Sequence, residues 1–221
     1  MYKIFSIDDE KEVLPGYSPE KANDFHTESA RNANKKFDQE LKKIKNKKVI
    51  LMCGGSASGK TEFVAKFCPI ESDDQQDEIQ GIVFDSTLPR EEGAKIKIAN
   101  IKKSGNIPII CFIVPHSLTR CFKAFHERER KIPESEFFKT HSGARKVALE
   151  IAKNTDIEIL IYYNLLPEEA LELENKSQIM IDNNDLRFVE ISFESRSEMI
   201  SFLEKEQISE EEIKALIING R

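Results

Sequence analysis

The sequence predicts an α/β protein built as three layers around a mostly parallel sheet, with an N-terminal helix and a small C-terminal α+β appendage. Three observations carry this prediction. Between residues 49 and 165, apolar runs of strand length alternate with segments of helical periodicity, the grammar of βα repeats. One run, Val49 to Cys53, passes straight into a glycine-rich junction and then a helical pattern. Another, Gly81 to Phe84, ends on Asp85, where open α/β sheets present groups to ligands. The chain divides into an arm and amphipathic helix (1–48), a βα core (49–165) and an appendage (166–221).

Residues 1–17 carry scattered charge with Pro15 and Gly16 and are expected to form an irregular arm. Ser18-Pro19 reads as an N-cap followed by proline at the first helical position. Ala22, Phe25, Ala33, Phe37, Leu41 and Ile44 then predict one long amphipathic helix. Its end is the basic run Lys42 to Lys48, which suits a helix C-terminus. Val49-Ile50-Leu51-Met52-Cys53 is unbroken and apolar, as expected of a strand covered on both faces.

The junction that follows, Gly54-Gly55-Ser56-Ala57-Ser58-Gly59-Lys60-Thr61, fits G-x-x-x-x-G-K-[ST], the phosphate-binding P-loop. From average residue usage, the four fixed positions would coincide in a chain this long on the order of once in a hundred. Glycines let backbone N–H groups turn inward around phosphate oxygens, and the helix N-terminus adds its partial positive charge. Lys60 is expected to reach the β- and γ-phosphates and the Thr61 hydroxyl to bind Mg²⁺, so the predicted cofactors are ATP and Mg²⁺. Glu62 stands beside them in the first helical turn, and Arg120 is assigned to the nucleotide as well.

The helix from Thr61 to Phe67 stops at Cys68-Pro69. The acidic stretch beyond it reads as a solvated loop from which Asp73 or Asp74 could return toward the phosphates. Asp85, at its strand end, is the best acidic candidate, able to orient Mg²⁺, accept a proton or bond an acceptor sugar; an aspartate that only caps the next helix is the plain alternative. Ala94, Ile98 and Ile101 mark a helix, residues 107–115 a strand, and Leu118, Cys121, Phe122 and Phe125 another helix capped by Ser117. The segment 127–141 concentrates arginines. A planar guanidinium matches phosphate oxygens two at a time, so Arg120, Arg128, Arg130 and Arg145 are candidates, each against an ordinary surface charge. His126 and His141 are candidate donors to substrate, although isolated histidines more often satisfy local hydrogen bonds. A helix over 143–152 and a strand over 157–163 complete the core. Beyond Pro167, Ile179 to Ile181 and Arg187 to Ile191 flank a hairpin turn, and two short helices follow.

At 221 residues with a net charge of −6, the chain offers little to a partner recognised by phosphate neutralisation, so nucleic acid is not expected as a ligand. No apolar run reaches bilayer length and the N-terminus lacks a signal-peptide layout, so no membrane association and a cytoplasmic location are expected. The four cysteines show no C-x-x-C pairing and read as buried reduced thiols.

From about residue 47 to 155 the chain resembles the zeta toxin family of P-loop kinases, through the P-loop, Asp85-Ser86-Thr87-Leu88, and Arg128-Glu129-Arg130-Lys131-Ile132-Pro133. The resemblance implies a P-loop kinase-type fold and transfer of the ATP γ-phosphoryl group to a hydroxyl of a nucleotide sugar, typically UDP-N-acetylglucosamine, starving cell-wall synthesis. By matching position it gives Lys60 and Thr61 to phosphate and Mg²⁺, Asp85 and Thr87 to the acceptor, and Arg128 and Arg130 to the transferring phosphate; Ser86, His141 and Arg145 join the substrate set. Family members place their catalytic base on a separate strand between the P-loop helix and the acceptor strand. Here that interval is short and polar, leaving Asp74, Asp73 or Asp85 for the role. The family's toxins are often neutralised by a small helical antitoxin protein, a partner that no residue here specifies. Two other readings stay open: a nucleoside or polynucleotide 5′-hydroxyl kinase, and a noncatalytic ATP-binding interaction module.

Overall fold

The computed structural model describes residues 2–68, 80–166 and 187–220. Six strands form one sheet among these residues: β1 (Tyr2–Ser6), β2 (Lys48–Cys53), β3 (Gly81–Asp85), β4 (Ile107–Pro115), β5 (Glu158–Asn164) and β6 (Phe188–Glu190). Their order across the sheet is β1-β3-β2-β4-β5-β6. The first five run parallel, and β6 pairs antiparallel with β5. The helices are α1 (Ile7–Glu12), α2 (His26–Leu41), α3 (Lys60–Phe67), α4 (Glu91–Lys103), α5 (Leu118–Glu127), α6 (Glu134–Asn154), α7 (Arg196–Lys205) and α8 (Glu210–Asn219).

Side-chain alternation along the strands decides the layers. Val49, Leu51, Cys53, Ile82, Phe84, Ile110, Phe112 and Val114 face one side, where they pack with Phe37 and Leu41 of α2, Ile98 and Ile101 of α4, Val147 and Ile151 of α6 and Leu203 of α7. Met52, Val83, Cys111 and Ile113 face the other and meet Phe63 and Val64 of α3. This is the predicted three-layer α/β fold of the P-loop kinase type. A third cluster joins Phe122 and Phe125 of α5, Phe137 and Phe138 of α6, and Ile213 and Ile217 of α8, so the C-terminal helices close on the core. All four cysteines are buried and free, as expected.

Three expectations are corrected. The N-terminal arm is not irregular: Tyr2–Ser6 adds a strand to the sheet beside β3, with Ser6 in register with Asp85. The long helix over 18–44 is shorter, a single 3₁₀ turn at Pro19–Lys21 followed by α2. The helix expected over 143–152 begins nine residues earlier at Glu134, so His141 is helical rather than part of an irregular lid; only residues 128–133 interrupt the run between α5 and α6. Of the expected hairpin, Phe188–Glu190 forms a strand on β5, whereas 179–181 lies outside the described residues. Among the described residues, no helix is long and apolar enough to cross a membrane.

Candidate functional site

The site forms where β2 runs out. Gly54 continues into a loop whose backbone enters the left-handed region at Ala57 and Gly59, and α3 starts on the next residue. Gly59, at φ +94, serves as the N-cap, and a Cβ there would lie 2.3 Å from the Asn164 side-chain nitrogen. Asn164, at the end of β5, donates from that nitrogen to the Ser58 carbonyl at 2.8 Å and so braces the loop from a strand two places away. The first N–H groups of α3 have no acceptor within the helix and point out of its N-terminus, the arrangement that attracts anions.

Lys60 is buried and folds back over its own loop, donating to the carbonyls of Gly54 at 3.0 Å and Gly55 at 2.7 Å and to Ser58 Oγ at 3.4 Å. Burial holds its pKa below the ordinary lysine value, with Asp85 pulling the other way. The Thr61 hydroxyl donates to Asp85 Oδ2 at 3.1 Å. That bond joins the P-loop helix to the end of β3, the two places where the sequence puts a metal-binding hydroxyl and an acid. Burial raises the Asp85 pKa, and Lys60 and the Thr61 hydroxyl offset part of the rise. Thr87 is tied to the same loop through its carbonyl, which accepts from Gly54 N–H at 3.3 Å. Ser86 Oγ, between them, is buried with no hydrogen-bond partner among the described residues.

The other side of the loop rests on α6. Thr140 Oγ1 accepts from Ser56 N–H at 3.1 Å, and the His141 ring, fully buried, sits against Gly55 with Nε2 2.8 Å from the Ser56 carbonyl. Since a carbonyl only accepts, Nε2 carries the proton. Burial and the nearby Arg145 charge drive the His141 pKa well below the usual histidine value, so the ring is neutral. His141 therefore supports the loop from beneath. Arg145, one turn on, is buried, donates to the His141 carbonyl at 3.1 Å and leaves Nε without a partner among the described residues. It borders a cleft of about 550 Å³ at the end of β4, together with His116, Ser117, Lys205 and Gln207.

The arginines separate. Arg120 donates to the Asn164 carbonyl at 2.8 Å on the β5 side. Arg128, half-buried at the end of α5, lies within electrostatic reach of Lys60, Glu62 and Asp8. Arg130 forms an ion pair with Asp8 of α1. Glu62 is exposed on α3, 3.9 Å from Arg187. Asp73 and Asp74 lie outside the described residues. Lys60, Thr61, Asp85, Ser86 and Thr87 thus come together, Arg128 stands close by, His141 lies beneath, Arg120 and Arg130 are each engaged by another element, and Arg145 donates within its own helix.

Sequence reasoning missed Asn164, Thr140 and Asp8. Asn164 carried a signal, a polar residue closing an apolar strand run. Thr140 carried none, because its value lies in facing Ser56 across 84 residues.

No protein-family model matches the chain and no curated protein matches it. Among solved structures it is similar to the crystal structure of AvrRxo1-ORF1:AvrRxo1-ORF2 with sulphate ions, at 13% sequence identity over 79% of this chain and 80% of that one, with a TM-score of 0.43. A likeness of that degree decides nothing about the reaction.

Proposed function

We propose that the protein transfers the γ-phosphoryl group of ATP to a hydroxyl of a small molecule, in the manner of the zeta toxin-like kinases its motifs resemble. The observation that carries the reading is the 3.1 Å bond from Thr61 to Asp85, because it pairs the P-loop hydroxyl with a strand-end carboxylate beside a buried lysine. Support for a phosphate ligand comes from the left-handed backbone at Ala57 and Gly59, from the α3 N-terminus that opens on the loop, and from the Lys60 ammonium lying over the same loop. Thr61 and Asp85 would hold Mg²⁺ through two oxygens, the ligand type this hard cation prefers. ATP supplies the phosphoryl group, and Mg²⁺ neutralises charge on it.

Each residue then has a distinct duty. Lys60 exchanges its contacts with loop carbonyls for phosphate oxygens. Asp85 and Thr61 fix the ion, and Arg128 adds a guanidinium toward the group in flight. Asn164, Thr140 and His141 hold the loop rigid, so little reorganisation is needed when charge moves. Sheet order is compatible with separate places for the two substrates. Asp85 lies on the β1 and β3 side of the P-loop, where an acceptor hydroxyl can approach, and the cleft past β4 lies on the opposite side, with room for the rest of a nucleotide. A nucleotide sugar such as UDP-N-acetylglucosamine is the first acceptor to try, on the strength of the motif resemblance, and such an enzyme could be held in check by a small antitoxin protein.

The test is ADP release from Mg-ATP across a panel of nucleotide sugars, nucleosides and polynucleotide 5′ ends, beside Lys60→Ala and Asp85→Asn. Turnover that depends on one acceptor and drops at least about 100-fold in both variants is expected, since each removes charge stabilisation at the transferring group. ATP binding with no turnover on any acceptor would overturn the reading in favour of a binding module.

A further inference from the structure

We infer that the N-terminal strand belongs to the reaction centre and that Asp8 is the residue that takes the proton from the acceptor hydroxyl. The inference rests on the phosphotransfer reading above.

Strand order carries it first. β1 lies parallel to β3 with Ser6 level with Asp85, so the chain leaving β1 emerges at the rim that holds Asp85 and the P-loop. Ser6 Oγ then accepts from Asp8 N–H at 3.1 Å and turns α1 over that rim. Asp85 already has a duty, its Oδ2 being held by Thr61 on the metal side. A separate carboxylate is needed for the hydroxyl proton, and among the described residues Asp8 and Asp9 act electrostatically on Asp85. Asp8 also acts on Lys60 and Arg128.

The partners of Asp8 carry it second. One is Lys11 of the same short helix, at 2.9 Å; the other is Arg130, in the arginine-rich link between α5 and α6. The same link is fastened to the 3₁₀ turn that follows the arm by Lys131 N–H donating to the Pro19 carbonyl at 3.0 Å. Although burial works to raise the Asp8 pKa, the Lys11 and Arg130 charges outweigh it and keep the carboxyl below its ordinary value. Arg128, Asp85, His26 and Tyr17 face it as well. When Arg130 leaves for the phosphoryl oxygens, Asp8 loses one of two adjacent positive charges and becomes the stronger base at the moment a base is needed. In the step itself the acceptor O–H bond breaks and its proton passes to an Asp8 carboxylate oxygen. The freed electron pair forms the new O–P bond, and the bond from phosphorus to the bridging oxygen breaks, leaving ADP.

A purely structural duty for Asp8, neutralising the buried Lys11, makes a different forecast, and the experiment separates the two. Asp8→Asn, Lys11→Met, the double variant and Asp9→Asn are assayed for turnover, apparent ATP affinity and melting temperature. The expected result is a fall of about 10²- to 10⁴-fold in kcat for Asp8→Asn with ATP affinity within about threefold, undiminished in the double variant, which no longer leaves an unpaired buried ammonium. Lys11→Met and Asp9→Asn stay within about tenfold of wild type. Recovery of turnover in the double variant, or an active Asp8→Asn, overturns the assignment while leaving phosphotransfer intact. A wild-type protein silent on every acceptor refutes phosphotransfer and the base with it. Independently of turnover, amide exchange at Lys131 should accelerate when Mg²⁺ and a non-hydrolysable ATP analogue are added, as Arg130 leaves the arm; unchanged protection overturns the hand-over.

Discussion

Gly55 occupies a position where the P-loop motif accepts any residue, yet this protein should not tolerate a single added methyl group there. A Cβ on Gly55 would lie 2.2 Å from both Cγ and Nδ1 of His141, more than 1 Å inside ordinary contact. The ring cannot recoil easily: it is fully buried, bonded to the Ser56 carbonyl at 2.8 Å, and packed 4.3 Å from the centre of Phe137. Overpacking of this kind destabilises by about 1–3 kcal/mol, and the rigidity of the neighbours puts Gly55→Ala near about 3. For a chain of this size that is a fall of roughly 6–12 °C in melting temperature. The Gly55 carbonyl also takes a 2.7 Å bond from Lys60, so a displaced loop should weaken ATP binding by about tenfold or more, about 1.4 kcal/mol. The decisive assay is a double-mutant cycle with His141→Ala, read by urea unfolding and by ATP titration. Removing the ring opens the space the methyl group needs, so the second change should be less harmful in the Gly55→Ala background by at least about 1 kcal/mol. Strict additivity within about 0.5 kcal/mol, or a Gly55→Ala protein with unaltered melting and affinity, would refute the reasoning.

Two further outcomes follow from buried polar groups. Asn164→Ala removes the 2.8 Å brace on Ser58 and should destabilise by about 1–3 kcal/mol, with weaker ATP binding measured by calorimetry; Asn164→Asp, which keeps the shape but loses the donor, should be worse than alanine. Lys97 lies 3.7 Å above the Phe84 ring and contacts Asn34, and burial pushes its pKa down from 10.5 to about 8. Because the folded chain then binds fewer protons than the unfolded chain between about 8 and 10.5, stability should rise as pH climbs through that window. Lys97→Met should remove the slope and raise stability at pH 7 by about 1–2 kcal/mol, the relief of desolvation less the lost cation–π contact, read from urea midpoints between pH 7 and 10.

The sequence by itself determined the elements whose causes are local. The P-loop and the start of α3 follow from glycine spacing and from the helix that Thr61, Glu62 and their neighbours propagate, and Asp85 is legible because three apolar residues precede it. β2, β4 and β5 announce themselves as continuous apolar runs because both of their faces are covered, which erases alternation and leaves a strong compositional signal. β1 was hidden for the converse reason. It is an edge strand, partly exposed along its whole length and carrying Lys3, so nothing in five residues distinguishes it from an arm until β3 is there to pair with it. Its consequences were hidden with it, namely the arrival of Asp8 at the rim and its hold on Arg130. Contacts between distant segments were beyond the sequence for the same physical reason. His141 under Gly55, Thr140 on Ser56 and Asn164 on Ser58 depend on where α6 and β5 come to rest, and packing of the whole sheet sets those positions. Short-range chemistry built the glycine-rich loop, and only the assembled fold decided what holds it still and which acids face it.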